Sequence, residues 1–144
     1  MRRVSPLTGG RRRRVLAVLA ALAGLWAVPA LAGHGAGGLV PSYSVEHVRR
    51  MMEAGEPVIL VDLRPPSAYR NARLPGARSI PLAELERRLG EIPRSGRVVL
   101  YGETIVEASQ GHGVLQDRGY RNAAVLEDGF GGWVKRGFPL EPGR

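Results

Sequence analysis

Val58-Ile59-Leu60-Val61-Asp62-Leu63-Arg64-Pro65-Pro66 is the stretch that decides the fold. The apolar run follows Pro57 and stops abruptly at Asp62 and the paired prolines. Consecutive branched aliphatic side chains suit a strand buried on both faces, as in parallel sheets; a strand wet on one face would alternate. Asp62, at the strand end, carries the short carboxylate that accepts backbone N–H groups and fixes a following turn.

Working outward, Arg97-Val98-Val99-Leu100-Tyr101 repeats the pattern after the Ser95-Gly96 turn, and Asn122-Ala123-Ala124-Val125-Leu126 gives a further strand. Helical spacing fills the intervals. Val45, Val48, Met51 and Met52 recur behind a Ser44 cap and before a Gly55 stop, with His47 on the polar face. A short helical turn around Ser67 to Tyr69 leads to the turn Leu74-Pro75-Gly76-Ala77 and a brief strand at Ser79-Ile80. Leu82, Leu85 and Leu89 predict an amphipathic helix with Glu84, Glu86, Arg87 and Arg88 toward water. A loop opening at Gly102 runs to Ala108 and enters a helix through Ser109 to Arg118, stopped by Gly119; Gly129 to Trp133 begins a last helix ending near Gly137. Strands alternating with helices predict an α/β fold, a small parallel sheet with helices on both faces.

The net charge of +8 suggests nucleic acid until it is located. Six of the 21 basic residues are Arg2, Arg3 and Arg11 to Arg14, and no acidic residue precedes Glu46. From residue 33 onward 15 basic residues face 13 acidic ones, a surplus of only 2, so no nucleic-acid partner is expected. Those arginines lead into Val15 to Val28, which carry no polar side chain, then Pro29 and the small-x-small Ala30-Leu31-Ala32. A basic region, an apolar stretch and such a cleavage pattern make a secretory signal over residues 1–32. Fourteen apolar residues before Pro29, or eighteen counted through Ala32, fall short of the roughly 20 a permanent span needs. An uncleaved anchor is the competing reading, and the only expected route to a membrane. Residues 33–42, including His34 and the run Gly35-Ala36-Gly37-Gly38, read as a flexible tether, and 43–142 as one domain placed outside the cytoplasm.

The chain contains no cysteine. Disulfides, thiolate metal sites and cysteine nucleophiles are therefore excluded.

Several segments, in one order, resemble the rhodanese-like domain family. Val61-Asp62-Leu63-Arg64 is similar to its strand-ending acidic-x-arginine element, and Tyr69 with Leu74-Pro75-Gly76-Ala77 to its tyrosine and Pro-Gly turn. Ile80-Pro81-Leu82, Val98-Val99-Leu100-Tyr101, Arg118-Gly119-Tyr120 and Leu126-Glu127-Asp128-Gly129 with Trp133, Gly137 and Pro139 continue the resemblance from about Tyr43 to Pro142. It implies a sulfurtransferase fold whose nucleophile, a cysteine carried as a persulfide, directly follows the strand ending at Tyr101. Here that residue is Gly102. The loop continues Glu103-Thr104-Ile105-Val106-Glu107-Ala108, with Glu103 and Glu107 where the family often has arginine. Their charge opposes an anionic sulfur donor.

The resemblance thus implies a domain without thiosulfate sulfurtransferase activity, serving as a binding or regulatory module. Asp62, Arg64 and Tyr101 would support the pocket at the strand ends, and Gly102 to Glu107 would form a degenerate active-site loop. No cofactor and no metal is expected, and the acidic loop points to a protein or a small cationic ligand. The alternative is a non-thiol enzyme: a hydrolytic site of Thr104 or Ser109 with His112 and Glu107, or a metal site of Glu103, Glu107 and His112. It requires those side chains to converge.

Overall fold

The computed structural model describes residues 39–143. The expected leader, and His34 in the tether, lie outside them. β1 (Ser42–Tyr43), β2 (Val58–Asp62), β4 (Arg78–Ser79), β5 (Arg97–Tyr101) and β6 (Ala123–Leu126) form a five-stranded sheet in the order β1-β6-β5-β2-β4, every pair parallel. β3 (Ala72–Arg73) pairs antiparallel with β7 (Glu141–Pro142) in a separate two-stranded sheet. The α/β architecture with a central parallel sheet is the one the apolar runs predict.

Helices cover both faces because side chains along each strand alternate between them. Val98 and Leu100 of β5 join Val61, Leu85, Leu115 and Val125 on one face, under α3 (Ile105–Asp117) and the segment Leu82–Glu91. Val99 and Tyr101 join Leu60, Val45, Val48 and Trp133 on the other, under α1 (Val45–Glu53) and α4 (Gly129–Lys135). Trp133 is fully buried, its indole N–H donating to the Pro139 carbonyl at 2.9 Å, so it fills the core without stranding a donor.

Several elements differ from expectation, the short β3 and β7 among them. Pro41 and Ser42, read as tether, belong to the sheet edge: the Val125 N–H donates to Pro41 O at 2.8 Å, and Ser42 pairs with Val125. The strand expected at Ser79-Ile80 is β4 at Arg78–Ser79. The amphipathic helix expected on Leu82, Leu85 and Leu89 is present over Leu82–Glu91, in the tighter 3-10 form and broken by non-helical backbone at Arg88. Its spacing of three between Leu82 and Leu85 suits the tighter coil, and the Tyr120 hydroxyl holds its end by donating to Leu89 O at 2.7 Å. Finally, α3 begins at Ile105, before the expected start at Ser109, which shortens the loop after β5. Among the described residues no helix is long and apolar enough to cross a membrane.

Candidate functional site

The parallel register sets Asp62 beside Tyr101 at the carboxyl ends of β2 and β5, where open α/β sheets bind ligands. Asp62 is wholly buried, and its charge is matched by Arg64, which is 3 % exposed. One carboxylate oxygen accepts the Arg64 backbone N–H at 2.9 Å and its Nε at 3.0 Å; the other accepts Nη2 at 2.7 Å. The Tyr101 hydroxyl donates to the same carboxylate at 2.7 Å while accepting the Leu74 N–H at 3.3 Å. Burial, reinforced by the Asp62 charge, pushes the Tyr101 phenol far above its ordinary range, so it stays a proton donor. Burial works against the charge of Arg64, but the hydrogen bonds and attraction of Asp62 outweigh it and raise its pKa. The guanidinium also donates to Ala72 O at 2.7 Å and lies 3.6 Å from the centre of the Phe130 ring. Asp62, Arg64 and Tyr101 thus form one network that braces the strand ends, with Arg64 Nη1 left facing Glu103 without a hydrogen bond.

The chain beyond Tyr101 is held as tightly. Gly102 O accepts the Phe130 N–H at 2.9 Å and Glu103 O accepts the Gly131 N–H at 3.4 Å, docking this backbone onto the start of α4. Gly129 makes that approach possible, since its φ is +59° and a Cβ there would stand 2.6 Å from Glu103 O. Thr104 then caps α3. Its Oγ1 accepts the Val106 N–H at 3.2 Å and donates to Glu107 at 2.7 Å, while Glu107 accepts the Thr104 N–H at 3.1 Å. This reciprocal capping box ends the loop at Thr104.

Glu107 consequently does not stand in an open acidic loop, as the sequence reading has it. It folds back over Gly102: a Cβ on Gly102 would lie 2.6 Å from the Glu107 Cβ and 2.9 Å from its Oε2. The first turn of α3 occupies the space that a side chain at position 102 requires. The Thr104 hydroxyl and neighbouring backbone donors hold the Glu107 carboxyl below its usual range, which keeps it ionised in this structural role. Glu103 is the charge that does face the pocket, its carboxylate 3.6 Å from Arg64 Nη1 and 58 % exposed. Ile105 and Val106 stand beside it at 41 % and 58 % exposure.

His112 does not join these groups. It is almost buried on α3, and burial lowers its pKa against the partial compensation of a hydrogen bond to the Ala123 backbone. Among the described residues no hydrogen bond links it to Thr104, Ser109, Glu103 or Glu107, and no cluster of three His, Asp or Glu could hold a metal. The convergence that a hydrolytic or metal site demands is missing. The pocket expected at the strand ends is a recess of about 210 Å³ lined by Arg64 and Glu103, and also by Ala68, Asn71, Ala72 and Phe130, which the sequence does not single out. Small and amide side chains from α2 (Pro66–Asn71) carry no signal of their own, whereas the pattern Thr104-x-x-Glu107 is a capping signal that the expectation of a loop through Ala108 passes over.

Residues 44–136 match the model of the rhodanese-like domain. The chain belongs to that family. Over 102 residues the rhodanese-like domain is 28 % identical to a sulfurtransferase of Allochromatium vinosum, covering 71 % of this chain and 95 % of that one. It is 40 % identical over 96 residues to an HTH-type transcriptional regulator of Mycobacterium tuberculosis, covering 65 % of this chain but only 42 % of the regulator. A crystal structure of a thiosulfate sulfurtransferase from Pseudomonas aeruginosa superposes with a TM-score of 0.66 at 30 % identity, over 73 % of this chain and 21 % of that one. The present domain has no cysteine anywhere.

Proposed function

We propose that this is an exported rhodanese-like domain that transfers no sulfur through a thiol and works as a binding or regulatory module. One observation carries the reading: the position directly after β5 is Gly102, and the first turn of α3 is packed against its Cα. A lost nucleophile with its pocket intact would leave room for a thiol; here that room is filled. The bracing network of Asp62, Arg64 and Tyr101 nonetheless keeps a shaped recess at the strand ends, the part of the fold suited to contact. Similarity to part of a transcriptional regulator supports a regulatory use, and the basic-apolar-small leader supports export.

The test is incubation of the purified protein with thiosulfate, followed by intact-mass analysis for a sulfur adduct. The expected result is an unchanged mass; a stable sulfur adduct would overturn the reading. Export is tested by fusing residues 1–42 to a reporter active only outside the cytoplasm, where reporter activity is expected and its absence contradicts secretion.

A further inference from the structure

Resting on that reading of a binding module, we infer that the recess beside Glu103 accepts a single cationic side chain, lysine or arginine, presented by a partner protein. Size is the first argument. About 210 Å³ is smaller than the roughly 300–1,000 Å³ of small-molecule sites, and suits one anchoring side chain of an interface.

Charge is the second. Arg64 is already matched by the two-oxygen contact with Asp62, so Glu103 leaves the trio of Asp62, Arg64 and Glu103 with one negative charge in surplus. At 3.6 Å the Glu103–Arg64 approach is too long for a direct hydrogen bond, and the exposed carboxylate retains acceptor capacity. The walls are the third argument. Ala68, Ala72 and the Phe130 ring offer apolar surface for the methylene stem of a long basic side chain, whose head then meets Glu103. Outside the recess, Ile105 and Val106 expose branched apolar side chains on the first turn of α3, a flank for aliphatic neighbours of the anchor. An apolar stem, a cationic head and aliphatic neighbours describe a peptide segment better than a free ion.

The experiment is a titration of the ¹⁵N-labelled protein with three capped tripeptides, Leu-Arg-Leu, Leu-Gln-Leu and Leu-Glu-Leu, followed by amide chemical shifts. The arginine peptide is expected to move the amides of Ala72, Glu103, Val106 and Phe130 and to bind more tightly than the other two. Glu103→Gln is expected to weaken it by about threefold or more, the scale of one partly exposed ion pair, and raised salt to do the same. Preference for the glutamate peptide at the same amides would overturn the charge assignment and leave the binding-module reading standing. Equal binding of all three, or no shift at these amides with any, would overturn the recess as a cation site. Sulfur loading by thiosulfate would instead defeat the underlying reading, so the two failures are distinguishable.

Discussion

Gly102→Ala isolates the space beside the missing nucleophile, because it adds one methyl group and no chemistry. The new Cβ would stand 2.6 Å from the Glu107 Cβ, inside the 3.0 Å that real Cβ atoms essentially never breach. Rotating the Glu107 side chain offers no relief, since its Cβ is fixed to the helix backbone; the first turn of α3 must shift and strain its cap. Overpacking of this kind costs about 1–3 kcal/mol. Gly102 is not among the positive-φ glycines, so in open space the same substitution would instead stabilise the protein by about 0.4–1 kcal/mol. The sign therefore decides. Urea unfolding should show a midpoint lowered by roughly 1 M at unchanged m-value, given typical slopes of about 1–3 kcal/mol/M. In a Glu107→Gly background, already weakened by loss of the cap, adding Gly102→Ala should cost less than about 0.5 kcal/mol, because the colliding Cβ is gone. A neutral or stabilising Gly102→Ala in the parent protein, or an equal cost in both backgrounds, would refute the packing argument.

Further outcomes follow from the same geometry. Asp62→Asn strands the buried Arg64 guanidinium and should cost about 3–5 kcal/mol by denaturant unfolding, the penalty for breaking a buried ion pair from one side. Thr104→Ala removes the cap of α3 and should cost about 1 kcal/mol, with amide exchange accelerated in the first turn of that helix. His112, with its folded pKa depressed by burial, is held neutral, and the unfolded chain binds more protons below the ordinary histidine value near 6.5. Its contribution is fully present above that value and declines as pH falls from there through the folded pKa; His112→Gln should flatten this part of the stability–pH curve.

The sheet was legible in the sequence because its central strands are written as unbroken runs. Val58 to Val61 and Val98 to Tyr101 lie side by side in β2 and β5, and Ala123 to Leu126 forms β6. Two-residue strands such as β3 and β7 are too short to carry a period, and their pairing is accompanied by long-range contacts of Glu141 with Arg73 and the Gly76 N–H. The site was legible as chemistry more than as shape. The absence of cysteine follows from composition, and its place at Gly102 from the resemblance to the rhodanese-like family. That Glu107 turns inward while Glu103 faces the recess depends on the capping box, and its pattern, Thr104-x-x-Glu107, competes in the sequence with the expectation of a long loop. Phe130 enters the site from α4, brought there by backbone bonds to Gly102 and Glu103 that no local pattern announces.

The central claim concerns sulfur transfer, and one assay addresses it most directly: cyanide-dependent thiocyanate production from thiosulfate, measured for the parent protein and for Gly102→Cys. With no thiol in the parent and the α3 turn filling its place in the variant, both are predicted to match the buffer control. Turnover by the parent protein would contradict the account outright, and turnover by folded Gly102→Cys would show that the site had lost only its sulfur and kept its shape.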